Sequence, residues 1–303
     1  MRVHVRVPAT SANLGPGFDA LGLALGLYNE VTAAEADTVT VTLEGEGVGR
    51  LPATRDNVVA RGVRQAYEAA ARPFKGVTLT CVNRIPAARG LGSSAAAWVG
   101  GLVAGNGLLD SPLDRSALLV LAARAEGHPD NVAAALFGGL TVSAGGRDGA
   151  IAVPLSVPSD LRWVTLIPEI TSATSEARAV LPASVSREDA VFNVQRVALL
   201  LAALQARRAD VLTTALDDRL HQPYRLKLFP WMPAVVDAAR KSGALGCVLS
   251  GAGPSLLAVV AGAESQASAV ARAMEDALGR AGINGTARAL TVDREGAMCR
   301  RAA

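Results

Sequence analysis

Short stretches in which apolar and polar residues alternate recur along the chain, which is the pattern of a β-strand with one buried face. The first is Val3-His4-Val5-Arg6-Val7, and Pro8 then begins a loop rich in Ser, Asn and Gly. By pattern and composition, further strands are predicted at residues 38–43, 77–82, 245–250, 255–261 and 285–292, and residues 150–168 are strand-like although Pro154 and Pro158 interrupt them.

Apolar residues at helical spacing occupy much of the chain between these strands. In residues 187–207, for example, Val191, Val194, Ala198 and Leu201 fall on one face of a helix. Other helices are predicted at residues 57–72, from about Ser93, and at 113–125, 209–220, 233–242 and 264–281. Because the strands and helices alternate irregularly, their order favours an α+β fold over a regular parallel βαβ ladder.

Composition narrows the class of protein. The 303 residues suit one large domain or two of ordinary size, and a soft boundary is predicted within residues 150–168. The formal charge of +3, with acids and bases interspersed, suits an anionic substrate better than nucleic acid.

The three cysteines form no CxxC pair, so neither a disulfide framework nor a Cys-rich zinc site is expected. The cysteine pattern favours a reducing cytoplasm. Without a long apolar run, neither a signal peptide nor a membrane span is expected.

The most informative segment is the glycine-rich turn at residues 86–96, PAARGLGSSAA. Gly90 and Gly92 allow the backbone to approach a ligand closely, and Ser93 and Ser94 favour the start of a helix. The N–H groups at the head of such a helix bind phosphate. The segment is neither a GxxxxGK[ST] P-loop nor a dinucleotide-binding GxGxxG motif. The GxG and Ser residues alone would fit an ordinary strand-to-helix turn about equally well.

The complete segment resembles the phosphate loop of the GHMP kinases, named for galactokinase, homoserine kinase, mevalonate kinase and phosphomevalonate kinase. Residues 8–23, PATSANLGPGFDALGL, resemble the family's substrate-site motif in the version typical of homoserine kinases. Residues 126–132, EGHPDNV, resemble the segment that follows the phosphate loop, and residues 249–255, LSGAGPS, resemble the turn that closes over the site. The resemblance therefore extends along most of the chain.

This resemblance implies an α+β, two-domain GHMP kinase fold. The first domain, residues 1–155, would bind ATP and be similar to domain 2 of ribosomal protein S5, and residues 156–303 would form a ferredoxin-like C-terminal domain. It further implies a cytoplasmic homodimer that uses ATP and Mg²⁺ to phosphorylate L-homoserine to O-phospho-L-homoserine in threonine biosynthesis.

The resemblance also implies roles for single residues. ATP contacts are implied for Asn57, Pro86, Ala87, Ala88, Arg89, Gly90, Leu91, Gly92, Ser93, Ser94, Ala95 and Ala96. Substrate contacts are implied for Asn13, Asp19, His128, Asn131, Thr174, Arg178, Arg225 and Gly253. Ser94 and Glu126 would hold Mg²⁺, which prefers oxygen ligands. A catalytic role is implied for Asp19, Asn131, Ser94 and Glu126. The two Arg would clasp the substrate carboxylate, for which the guanidinium fork is suited.

Two alternatives compete with this interpretation. One is a GHMP kinase that acts on an isoprenoid or a sugar alcohol, against which the first motif and the two Arg argue. The other is a non-catalytic ATP-binding protein of the same fold, which the presence of Asp19, Ser94 and Glu126 disfavours. The sequence leaves open whether any side chain acts as a base on the reacting hydroxyl.

Overall fold

The chain is organised around two β-sheets, seen in a computed structural model that describes residues 1–146 and 149–301. The strands are β1 (Arg2–Ala12), β2 (Leu21–Ala36), β3 (Thr40–Gly45), β4 (Gly76–Asn83), β5 (Leu140–Gly146), β6 (Gly149–Leu155), β7 (Leu161–Pro168), β8 (Gly246–Leu249), β9 (Leu256–Ala261), β10 (Gly285–Leu290) and β11 (Met298–Arg301). The helices are α1 (Val58–Ala69), α2 (Ser93–Leu108), α3 (Arg115–Glu126), α4 (Asp130–Phe137), α5 (Thr174–Ala179), α6 (Arg187–Gln205), α7 (Leu212–Ala215), α8 (Gln222–Arg225), α9 (Met232–Lys241) and α10 (Glu264–Arg280), with a 3-10 turn at Ala209–Val211.

The first sheet has the order β11-β1-β2-β4-β3, and β5 joins it by pairing with β2 and with β6. All its pairs are antiparallel except β3 with β4. Val3, Val5 and Val7 are buried, as their alternation predicts. Helix α2 is apolar on nearly every side and is buried between the sheet and neighbouring helices, so its N-terminus is held rigidly.

The second sheet has the order β10-β7-β9-β8 and is antiparallel throughout. Helices α9 and α10 cover it, and their apolar residues form a separate core with those of the strands. Val164, Leu166 and Val260 of the sheet and Met274 of α10 are all inaccessible to solvent. This sheet and its two helices support the loop between β8 and β9, which reaches the candidate active site.

The structure corrects three expectations about secondary structure. Strand β1 continues through Pro8 to Ala12, with a shift of register between Pro8 and Ala9 that accommodates the missing N–H group. Strand β2 follows, although no strand was predicted there. Residues 209–220 are helical only as far as Ala215, because the Asp218 carboxylate accepts bonds from the N–H groups of Leu220 and His221 and turns the chain.

The position of the last strand qualifies the predicted division at residues 155 and 156. Strands β6 and β7, on either side of that division, lie in different sheets. Strand β11, however, pairs with β1 in the first sheet, although it belongs to the second half of the sequence. The limits 1–155 and 156–303 thus stay a prediction, and residues 147, 148, 302 and 303 lie outside the described part. No helix among the described residues is long and apolar enough to cross a membrane.

Candidate active site

Helix α2 begins at the end of the glycine-rich turn, with its N-terminus directed into a cleft. Gly92 takes the N-cap position in a left-handed conformation, and Gly90 is also left-handed. The first hydrogen bond of this helix runs from the N–H of Ala96 to the carbonyl of Gly92. The N–H groups of Ser93, Ser94 and Ala95 therefore have no acceptor within the helix, which is the arrangement that binds anionic oxygens.

The loop between β8 and β9 packs directly on this turn. The Ser250 hydroxyl donates to the carbonyl of Gly90 at 2.7 Å, and the N–H of Ser255 donates to the carbonyl of Arg89 at 3.2 Å. A Cβ atom added at Gly90 would overlap the carbonyl oxygen of Ser250. Both the backbone conformation and this close approach therefore require glycine at residue 90.

Replacing Gly90 with alanine is expected to separate the turn from the Ser250 loop and to raise the KM for ATP about tenfold, the equivalent of one hydrogen bond to a charged group. Gly282→Ala is a matched control, because Gly282 has the same φ of +75° as Gly90 but open space around its Cβ position. Steady-state kinetics and thermal unfolding of both variants test this. Equal changes in the KM for ATP in the two variants would show that backbone strain, and not the contact with the Ser250 loop, causes the effect.

Glu126, the last residue of α3, faces the first turn of α2. The Ser94 hydroxyl donates to the Glu126 carboxylate at 2.7 Å. Burial raises the pKa of Glu126, an effect that the hydrogen bond from Ser94 and the neighbouring His128 partly offset. A half-buried carboxylate of this kind is stabilised by a cation, and these two oxygens lie beside the N-terminus of α2.

The loop between β1 and β2 contributes a carboxylate and an amide. Arg178 on α5 binds Asp19 through both terminal nitrogens, at 2.7 and 3.0 Å, and this hydrogen bonding raises the pKa of Arg178. The N–H of Asp19 donates to Asn13 Oδ1, and Asn13 Nδ2 donates to the carbonyl of Gly251. Asn13 and Asp19 both have positive φ angles, so this loop is held in an unusual conformation by contacts with the second half of the chain.

A second arginine is almost completely buried beside this ion pair. Arg225 is 2% exposed, and its guanidinium donates to the carbonyls of Ala177 and Gly251 and to His221 Nδ1. Burial lowers the pKa of Arg225 to about 10, with the positive charge of Arg178 adding to the effect. A buried cation with neutral partners of this kind favours binding of an anion.

Polar side chains at the N-terminus of α4 complete the cleft. His128 Nδ1 lies 2.7 Å from Asp130 Oδ1, and this hydrogen bond raises the pKa of His128. Asn131 is held by the Thr10 hydroxyl, which donates to Asn131 Oδ1 at 2.8 Å. The amide nitrogen of Asn131 donates to Asp130 Oδ1 at 3.4 Å, so both ends of this amide are oriented by neighbouring side chains.

Most of the predicted site residues line one cavity of about 120 Å³ between the two sheets. They are Asn13, Asp19, Ala88, Arg89, Gly90, Leu91, Gly92, Ser93, Ser94, Glu126, His128, Asn131, Thr174, Arg178, Arg225 and Gly253. A neighbouring cavity of about 200 Å³ is lined by Asn57 and Ala87 and shares Ala88, Ser93 and Ser94 with the first. Pro86, Ala95 and Ala96 line neither cavity, because their side chains are buried.

Asn57 has a structural role that was not predicted from the sequence. Its side chain caps α1 by accepting from the N–H of Val59, and its amide nitrogen donates to the carbonyl of Pro52. These two bonds fix the orientation of the Asn57 amide and leave one N–H of its nitrogen for a further partner.

Sequence reasoning missed several residues that line the first cavity or support it: Phe18, Asp130, Ser172, Gly251, Ala252 and, behind the cavity, His221. Four of these, Phe18, Asp130, Gly251 and Ala252, lie within motifs already singled out, so their neighbours could have indicated them. Ser172 has no local signal, because only a backbone hydrogen bond from its N–H to the carbonyl of Ala88 brings it to the site.

Known proteins are similar to this chain along most of its length. The family model of the GHMP kinases N terminal domain matches residues 57–139, and that of the GHMP kinases C terminal region matches residues 200–280. A homoserine kinase from Moorella thermoacetica is 45% identical over 294 residues, 97% of this chain and 98% of the relative. A homoserine kinase from Desulfitobacterium hafniense is 43% identical over 295 residues, 97% of this chain and 99% of the relative.

Solved structures agree with these matches. The crystal structure of homoserine kinase from Cytophaga hutchinsonii superposes with a TM-score of 0.91 at 31% identity, covering 99% of this chain and 97% of that one. The mevalonate kinase of L. major, crystallised with R-mevalonate, has a TM-score of 0.70 at 15% identity over 93% of this chain and 94% of that one, so it supports the fold alone. The α+β fold with two sheets is therefore the GHMP kinase fold, and the chain belongs to the GHMP kinase family, among the homoserine kinases.

Proposed function

We propose that this protein transfers the γ-phosphoryl group of ATP to the hydroxyl of L-homoserine, giving ADP and O-phospho-L-homoserine for threonine biosynthesis. The single observation that supports this most directly is the composition of the cleft. The free N–H groups at the head of α2 lie in the same cavity as the Asp19–Arg178 ion pair and the buried Arg225. One cavity thus offers a phosphate site beside charges of both signs, which an amino acid requires.

The nucleotide phosphates would bind at the N–H groups of residues 90–95, with the nucleobase in the adjoining cavity. That cavity is lined mainly by apolar groups, including Leu43, Val59 and Ala97, and it opens onto Ser93 and Ser94. Arg89 lines the phosphate side of the cleft, and its Nε is buried without a partner among the described residues. A cation in this position would offset the charge of a phosphate.

Mg²⁺ fits the residues beside the helix head. Ser94 and Glu126 provide two oxygens in contact with each other. Burial raises the pKa of Glu126, and a bound cation would stabilise its charged form. No cluster of three acidic, His or Cys residues able to hold a metal occurs among the described residues, which suits an ion that takes its other ligands from phosphate and water. When bound, Mg²⁺ would neutralise charge that develops on the transferred group.

The substrate would lie between Asp19 and the two arginines. Its carboxylate would bind Arg178 and Arg225, and its ammonium would bind Asp19 and Asn13. Asp19 and Arg178 are paired with each other in the structure, and a zwitterion supplies each of them with a replacement partner of the correct sign. A substrate with only one of the two charges would leave the other residue of the pair unpaired, which costs free energy.

The remaining residues would orient the hydroxyl that attacks the phosphorus. Five of the predicted residues, which line the cavity, would serve this purpose: Asp19, His128, Asn131, Thr174 and Gly253. Phosphoryl transfer requires positioning and charge stabilisation more than covalent chemistry from the protein. Holding the two reactants in line can supply about 7–11 kcal/mol of the reduction in the barrier.

An ADP-release assay tests the proposal. With ATP, Mg²⁺ and L-homoserine, rapid ADP release is expected, whereas mevalonate and galactose should give much lower kcat/KM values. A reaction without an acceptor controls for simple ATP hydrolysis. A preference for mevalonate or galactose would reject the substrate, and no transfer to any of the three would favour a non-catalytic ATP-binding protein.

The homodimer and the cytoplasmic location follow from the family resemblance and remain predictions. Sedimentation equilibrium of the purified protein would test the first, with a mass of twice 31.0 kDa expected.

A further inference from the structure

His221 is a completely buried side chain just behind the cavity, at the N-cap of the short helix α8. Its Nε2 lies 2.8 Å from the carbonyl oxygen of Gly15, and its Nδ1 lies 3.1 Å from Arg225 Nη1. The ring stacks on Phe18, with the centroids 5.1 Å apart and the planes inclined by 20°. Every polar atom of the ring is therefore engaged.

These partners determine which nitrogen of His221 carries the proton. A guanidinium only donates hydrogen bonds, so Nδ1 must accept and cannot be protonated. A carbonyl only accepts, so Nε2 must carry the proton. The ring is therefore neutral, and burial, which lowers the pKa of His221, favours the same state. Asp218, whose carboxylate lies 3.4 Å from Nε2, holds the backbone N–H groups of His221 and Gln222 and so fixes the position of the ring.

The hydrogen bonds of Arg225 then leave one part of its guanidinium free. The Nε–H donates to the carbonyl of Ala177, and the two Nη1 hydrogens donate to the carbonyl of Gly251 and to His221 Nδ1. Within residues 1–146 and 149–301, Nη2 has no protein partner, and Arg225 lines the cavity. The two hydrogens of Nη2 are thus available to a ligand.

We propose that His221 is a positioning residue for substrate recognition, because it is a neutral acceptor that holds Arg225 with Nη2 directed to the substrate carboxylate. It does not touch the substrate. Without the acceptor at Nδ1, the planar guanidinium could tilt by rotation about the single bonds of its side chain and lose this orientation. The proposal rests on the proposed function, since it assumes that the carboxylate of homoserine binds Arg225.

Two amide variants separate this role from a general structural one. His221→Asn keeps an oxygen near the position of Nδ1, whereas His221→Gln keeps a nitrogen that can reach the carbonyl of Gly15 but has no acceptor near Nδ1. We expect His221→Gln to raise the KM for homoserine about tenfold or more with the KM for ATP unchanged, and His221→Asn to change the KM for homoserine much less.

Thermal unfolding and steady-state kinetics with each substrate varied in turn provide the measurements. Equal KM values for homoserine in the two variants, a larger rise in His221→Asn, or parallel rises for ATP and homoserine would each overturn the proposal. Failure of either variant to fold would also overturn the proposal, because a positioning role predicts that both variants fold and differ only in the KM for homoserine. If the native protein does not phosphorylate homoserine, the proposed function fails. If it does and both variants keep the native KM, only the role of His221 fails.

Discussion

Replacing Glu126 with glutamine is expected to lower kcat by about 100-fold or more at saturating concentrations of both substrates. The carboxylate lies 2.7 Å from the Ser94 hydroxyl and beside the N–H groups at the head of α2. Glutamine keeps the size and a hydrogen-bonding oxygen but removes the negative charge that would hold Mg²⁺. A loss of about 2.7 kcal/mol of charge stabilisation in the transition state corresponds to a 100-fold decrease in rate.

The informative measurement is a titration of kcat with Mg²⁺ in the native protein and in the variant. Half-maximal activity of the variant should require a higher Mg²⁺ concentration. Glu169→Gln is a suitable control, because Glu169 is exposed and does not line the cavity. An unchanged dependence on Mg²⁺, whatever the value of kcat, would contradict the assignment of Glu126 as a metal ligand.

Replacing Arg225 with alanine is expected to raise the KM for homoserine by about 10- to 150-fold, the equivalent of a lost hydrogen bond between charged groups worth about 1.5–3 kcal/mol. The KM for ATP should change little, since Arg225 lies on the side of the cavity formed by α5 and the Gly251 turn. The midpoint of thermal unfolding should also fall, because the substitution leaves the carbonyls of Ala177 and Gly251 without their buried donor.

Arg219→Ala serves as the comparison, because Arg219 is half-buried and ion-paired with Glu188 and Asp189 away from the cavity. Loss of the Arg219 side chain should lower the midpoint of thermal unfolding but leave the KM values for homoserine and ATP unchanged. Comparable rises in the two KM values of Arg225→Ala would point to a general distortion of the site and reject a specific role in binding the carboxylate.

The phosphate loop could be predicted almost completely from the sequence. Gly90, Gly92 and the serines that follow them are adjacent in the chain, and the head of a helix is a local structure set by caps and backbone preferences. The order of the elements was also predictable in outline. Strand β2 was not predicted, because its apolar first half and alternating second half match no single pattern.

The substrate side of the cavity was predicted as a set of residues but not as a geometry. Asp19 and Arg178 were both named, yet their ion pair joins residues 159 positions apart. Asn57 was assigned to the nucleotide, and only the structure reveals that its amide caps α1. No role was predicted for His221, because a single histidine gives no sign of its partners when these lie on distant segments.

The amino-acid order alone thus determined the family, the phosphate-binding turn and the identity of most charged groups in the cleft, since short motifs and local backbone preferences carry that information. The tertiary structure decided which of these groups face each other. The Ser250 loop meets the Gly90 turn across 160 positions of sequence, and His221 meets Gly15 across 206. Contacts of this range depend on how the two sheets and their helices pack, and no local pattern encodes that packing.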